Sequence, residues 1–88
     1  MPEQPADPYE NTPTTMVFDV FTETSNELIG LLTHLSDTAL NPAVRDKWWK
    51  QVLAVRDARR AVDPHDRGVL LAHISHWQAE IENLKVSR

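Results

Sequence analysis

Residues 70–84 read LLAHISHWQAEIENL, and their spacing decides the fold. Leu70, Ile74, Trp77, Ile81 and Leu84 follow one another at steps of four, three, four and three. That repeat lays a single apolar seam along one side of an α-helix. Just upstream, Asp63-Pro64 supplies a helix start: a side-chain oxygen to cap the first amides, then a proline where the missing N–H is harmless. Asp66, three residues after Asp63, nearly completes a capping box. The expected helix spans about 64–86.

The same device occurs earlier as Asn41-Pro42, opening a helix over about 42–62. Before it, Val17, Phe21, Thr24, Leu28, Leu31 and Leu35 again alternate steps of four and three, with Phe18, Ile29 and Leu32 widening the stripe. This predicts a first helix over about 15–39. Residues 16–21 have a composition that also suits a short strand, but the helical step runs through them unbroken. Gly30, in mid-helix, costs about 1 kcal/mol against alanine, which suggests a close helix crossing there. The expected fold is therefore all-α, a three-helix antiparallel bundle with short connections over residues 15–88. Residues 1–14 hold Pro2, Pro5, Pro8 and Pro13 among Glu3, Asp7 and Glu10. Repeated proline, low hydrophobicity and like charge predict a disordered, acidic, proline-rich arm.

The totals narrow the function. The chain has 88 residues, 41% hydrophobic and 25% charged, with a formal net charge of −4 and no cysteine. One small domain is all this length allows, and a self-sufficient enzyme with a deep pocket does not fit it. Absence of cysteine removes disulfides, thiolate metal sites and a thiol nucleophile. No apolar run approaches the length of a membrane span, and the first residues lack the basic and apolar regions of a secretory signal. A cytoplasmic protein is expected.

Charge is segregated. Residues 1–40 carry seven acidic side chains and neither lysine nor arginine, whereas Arg45, Lys47, Lys50, Arg56, Arg59 and Arg60 crowd helix two against Asp46 and Asp57 alone. Asp19, Glu23 and Glu27, four residues apart, line one side of helix one. They either neutralise helix two or steer an oppositely charged partner.

Helix two also has apolar residues on two sides. At about 100° per residue, Val44, Trp48, Val52, Val55 and Val62 share a face with Arg59. The Arg59 guanidinium is expected to snorkel out or to pair with a carboxylate. A second face carries Trp49 and Leu53 beside Arg45, Arg56 and Arg60. Either helix two is central in the bundle or this face meets another chain, since Trp and Arg are the residue types enriched at binding hot spots.

Other chemistry is poorly supplied. Six cations interleaved with tryptophans could track phosphates, but the chain is acidic and helix three does not suit a reading helix. Nucleic-acid binding thus ranks below protein binding. His73, His76 and Glu80 project to one side of helix three and could hold Zn²⁺ if a further ligand joined them. As flank residues that pack and hydrogen-bond they are explained more simply, and no metal or other cofactor is expected. The serines lack a glycine-rich elbow, and the two glycines, Gly30 and Gly68, lie too far apart for a phosphate loop. No motif carries a family resemblance; the Trp-x-Gly turn of WXG helical hairpins is absent.

The expectation is a non-enzymatic protein–protein interaction module that self-associates, with Arg45, Trp49, Leu53, Arg56 and Arg60 as the binding face. Asp19, Glu23 and Glu27 of a second copy are a possible acidic counter-surface in a homodimer. The alternatives are a nucleic-acid accessory protein using helix two, or a small regulator or inhibitor of antitoxin-like or phage type.

Overall fold

Both Asx-Pro junctions interrupt the helical pattern, and the chain folds into three helices around them. The computed structural model describes residues 9–86, with α1 over Thr14–Thr38, α2 over Pro42–Ala61 and α3 over Arg67–Val86. At the first junction Asn41 Oδ1 accepts hydrogen bonds from the amides of Ala43 (2.7 Å) and Val44 (3.4 Å), with Pro42 in the first turn. The second junction differs from expectation, since α3 begins at Arg67 instead of residue 64. Asp63 Oδ1 accepts from His65 N (2.8 Å) and closes a local turn, while Asp66 Oδ1 accepts from Val69 N (3.2 Å) at the helix start. Two aspartates three apart divide the work: the first makes an Asx turn, the second caps.

The result is an all-α three-helix bundle in which consecutive helices are antiparallel. α1 is its middle member, packing against both α2 and α3, while the backbones of α2 and α3 do not approach one another closely. Helix two is therefore not the central helix. Ser36 Oγ donates to the carbonyl of Arg45 (3.1 Å) and Arg59 Nη1 to Asn26 Oδ1 (2.6 Å), which fixes α2 antiparallel to α1. Arg67 reaches back to the turn before α1, and the Lys85 ammonium meets Glu27 at 3.2 Å, so α3 runs parallel to α1.

The core comprises Val17, Phe21, Leu28 and Leu32 of α1, Val52 and Val55 of α2, and Leu70, Ile74, Trp77 and Ile81 of α3. Beyond Leu28 the buried stripe of α1 passes to Leu32 and Ser36, while Leu31 and Leu35 are only half-buried. A straight helix of 3.6 residues per turn drifts away from a strict seven-residue repeat, and α2 collects what drifts. Gly30 marks no crossing within the chain: it is exposed, and a Cβ built on it meets nothing within 4 Å.

The expected disordered arm falls largely on residues 1–8, outside the described residues. Tyr9 to Thr12 form a turn (Thr12 N to Tyr9 O, 2.9 Å) held by Arg67, which donates to the carbonyls of Tyr9 and Thr12 and to Thr14 Oγ1.

Because Lys85 is level with Glu27, the last turns of α1 extend about 16 Å past the end of α3. The first half of α2 lies beside that extension. A two-helix tongue thus projects from the three-helix part, and the Cα trace measures 52 × 27 × 14 Å.

Candidate functional site

The tongue determines what α2 displays. Of the apolar residues expected on its inner face, Val52 and Val55 are buried and Trp48 and Val62 are half-buried. Val44 remains 41% exposed, since no part of α3 reaches it. Lys47 Nζ lies 4.9 Å from the Trp48 ring centroid, a cation–π contact that shields one indole face.

The second face of α2 is laid open along its length. Trp49 is 40% and Leu53 41% exposed, and Arg45, Arg56 and Arg60 are exposed beside them. Arg45 Nη2 donates to the carbonyl of Ala39 at 3.3 Å, which draws its side chain toward the α1–α2 connection. Arg56 and Arg60 make no ion pair among the described residues; with Arg59 they line a shallow depression of about 270 Å³. Arg59 is half-buried and has found a partner, but a neutral one, the Asn26 amide of α1. A neutral acceptor orients a guanidinium without cancelling its charge, so the depression stays cationic. Arg59 and Arg60 also suit the carbonyl end of α2, where the helix dipole favours cations.

The acidic stripe does not neutralise this face. Asp19, Glu23 and Glu27 are all exposed; Glu27 is taken by Lys85 of α3, and Asp19 and Glu23 make no ion pair among the described residues. Within α2, Lys50 meets Asp46 at 3.8 Å across one helical turn, an exposed pair that contributes little to stability.

His73, His76 and Glu80 do not form a common site. The His73 ring stacks on Trp77 at a centroid distance of 4.8 Å and lies 5.9 Å from Phe21, while His76 is exposed. Among the described residues no group of three or more His, Asp or Glu side chains is placed to hold a metal ion. Phe18, Phe21 and Trp77 continue the stack, with successive centroids 5.7 and 5.2 Å apart, so His73 belongs to the aromatic core of the three-helix part.

Three features escaped the sequence reading. Asn26, the partner of Arg59, lies 33 residues away with nothing local to announce it. Leu40, in the α1–α2 connection, is 98% exposed and joins Val44 at the tip of the tongue. Gly30 faces open space on α1, a position that mid-helix glycine alone does not reveal. No helix among the described residues is long and apolar enough to cross a membrane. Compared with family models, curated proteins and solved structures, the chain matches none.

Proposed function

We propose that the protein is a small, non-enzymatic interaction module whose α2 face docks onto an acidic protein surface, with the cytoplasm as its expected compartment. The observation that supports this reading most is the joint exposure of Trp49 and Leu53 within a set of three arginines. Scattered exposed apolar residues are ordinary, but an indole and a leucine one turn apart form a patch. Burying them against a partner supplies apolar contact area, while Arg45, Arg56 and Arg60 steer the encounter and form charge-assisted hydrogen bonds to carboxylates.

A second copy of this chain is the first partner to consider, because the unpaired Asp19 and Glu23 present the required charge. The test compares the wild type with a Trp49→Ala, Leu53→Ala double variant by quantitative affinity purification and by sedimentation equilibrium. The expected result is that the variant loses both the mass gained by association and the acidic proteins retained by the wild type. An unchanged profile in both measurements rules the face out. Binding of duplex or single-stranded nucleic acid at low salt, abolished by reversing Arg45, Lys47 and Lys50, would replace protein docking with phosphate tracking.

A further inference from the structure

We infer that the depression lined by Arg56, Arg59 and Arg60 binds a phosphate monoester dianion, presented as a phosphorylated side chain on an extended segment of the partner. This rests on the docking reading above and names the group that the acidic partner brings to the base of the α2 face.

The first support is charge left uncancelled. Arg56 stands three and four residues before Arg59 and Arg60, so the three side chains are neighbours on one side of α2. Like charges at that spacing destabilise a helix. The carbonyl end of α2 favours cations and accounts for Arg59 and Arg60 in its last turn. It does not account for Arg56, which lies before that turn. No carboxylate relieves the set. Asp57 projects about 100° away from Arg56 round the helix. Asp63, just past the helix end, accepts from His65 N and lies 3.4 Å from the His65 ring nitrogen.

The second support is a guanidinium already set in place. Arg59 is half-buried, and its Nη1 donates to Asn26 Oδ1 at 2.6 Å, a residue 33 positions away on α1. The neutral acceptor leaves Arg59 its full charge and further N–H groups for an anion. A side chain held in position before the ligand arrives loses less freedom on binding.

The number of guanidinium groups selects the anion. A carboxylate brings two oxygens and one charge, which a single bidentate arginine satisfies. A phosphate monoester brings three acceptor oxygens and a charge of about −1.5 to −2 at pH 7, a match for three arginines. A nucleic-acid strand would bring phosphates in succession, and the cations do not continue as a row. Glu23 and Asp19, exposed and without ion pairs among the described residues, lie about one and two turns before Asn26 on α1, and Lys50 is taken up by Asp46. One dianion is accommodated there and a train of them is repelled.

The rest of the face sets the form of the segment. Trp49, Leu53, Arg56 and Arg60 project within about 60° of one another. Leu53 and Trp49 lie about 8 and 14 Å along α2 from the middle of the arginine set. An extended chain advances about 3.3 Å per residue and turns alternate side chains to one face. Apolar residues two and four places from the phosphorylated one therefore reach Leu53 and Trp49 from the face that carries the phosphate.

The test titrates the full chain by calorimetry at physiological salt with a nine-residue peptide. The peptide has phosphoserine at its centre, leucine two and four places to either side, and glutamine between. Control peptides carry serine or glutamate at the centre. The phosphopeptide is expected to bind at least about tenfold more tightly than either control. Asn26→Asp is the decisive variant, because it hands Arg59 a carboxylate partner while all three arginines remain. It should remove most of the preference for phosphoserine over glutamate, and Arg56→Gln with Arg60→Gln should remove the rest; circular dichroism checks that each variant stays helical. Equal binding of the phosphoserine and glutamate peptides overturns the proposal, as does a preference that survives both variants. Absence of phosphopeptide binding overturns it too, and so does tighter binding of single-stranded or duplex nucleic acid than of the phosphopeptide. The docking reading fails on a different result, when the Trp49→Ala, Leu53→Ala variant retains the same proteins as the wild type.

Discussion

The three-helix part and the two-helix tongue are built from similar apolar repeats, yet they bury them to very different degrees. Where α3 is present, Phe21, Ile74 and Trp77 are 0–4% exposed. Where α3 is missing, only the seam between α1 and α2 is closed, by Leu32 and Val52, while Val44 and Trp49 remain 41% and 40% exposed and Leu40 98%. Periodicity tells which residues can share a face; the length of the neighbouring helix tells which of them are covered. The largest difference should appear when a tryptophan is truncated in each region. Trp77→Ala empties the centre of the aromatic stack and should destabilise the fold by about 3–5 kcal/mol. Trp49→Ala should cost the isolated chain less than about 0.5 kcal/mol. Urea denaturation at a concentration too low for association measures both. Similar losses at the two sites would mean that the tongue is covered within one chain.

Arg67 offers the next largest effect, and it lies in the three-helix part. Its guanidinium gathers the carbonyls of Tyr9 and Thr12 and the hydroxyl of Thr14, tying the turn before α1 to the first turn of α3. Hydrogen bonds from a charged donor contribute about 1.5–3 kcal/mol when well buried. Half-burial reduces this to roughly 1–2 kcal/mol for Arg67→Ala. Hydrogen exchange should show lost protection at the amide of Thr12, which donates to Tyr9 O, with little change at the tip of the tongue. Loss spread evenly over α1 would instead indicate a global role.

At the base of α2 the tongue has its own weak point. Asn41 accepts from two amides and its side chain has no tertiary partner among the described residues, so Asn41→Ala should cost about 1 kcal/mol. Fraying should be confined to α2 residues before Trp48, read from amide exchange. Asp66→Ala, at a start sealed by Arg67 and the α1 turn, should fray α3 less at equal loss of a cap. The contrast between these two substitutions isolates what tertiary packing adds to a capping bond.

Three helices, their order and most of the core could be read from Asn41-Pro42, Asp63-Pro64 and the spacing of Leu70 to Leu84, because caps and seams are local properties. The α3 start was displaced by three residues because Asp63 and Asp66 offer the same chemistry, and only backbone geometry chooses between them. The exposed strip of Arg45, Trp49, Leu53, Arg56 and Arg60 was also legible, as an apolar pair set off from the core stripe of α2. What the sequence left undecided was which helix stands in the middle. That depends on side-chain volume shared among Phe21, His73 and Trp77, residues up to 56 apart. The same non-local choice decides that Glu27 turns to Lys85 and that Asp19 and Glu23 are left without a cation.

Gly30 carries the smallest expected effect and the sharpest consequence. In an exposed helix interior, glycine is less favourable than alanine because it gives up more backbone freedom on folding. With nothing within 4 Å of the added methyl, Gly30→Ala should stabilise the monomer by about 0.4–1 kcal/mol. For a domain of this size that is a rise in Tm of roughly 2–8 °C. If Gly30 serves only its own chain, nothing offsets that gain and the variant is simply more stable at every concentration. If a partner side chain sits over it, the methyl group enters an occupied gap, and association should weaken while the monomer grows more stable. Melting curves recorded across a hundredfold range of concentration separate these outcomes. Opposite shifts at the two ends mark a position retained for the partner, and a uniform rise marks one retained for neither.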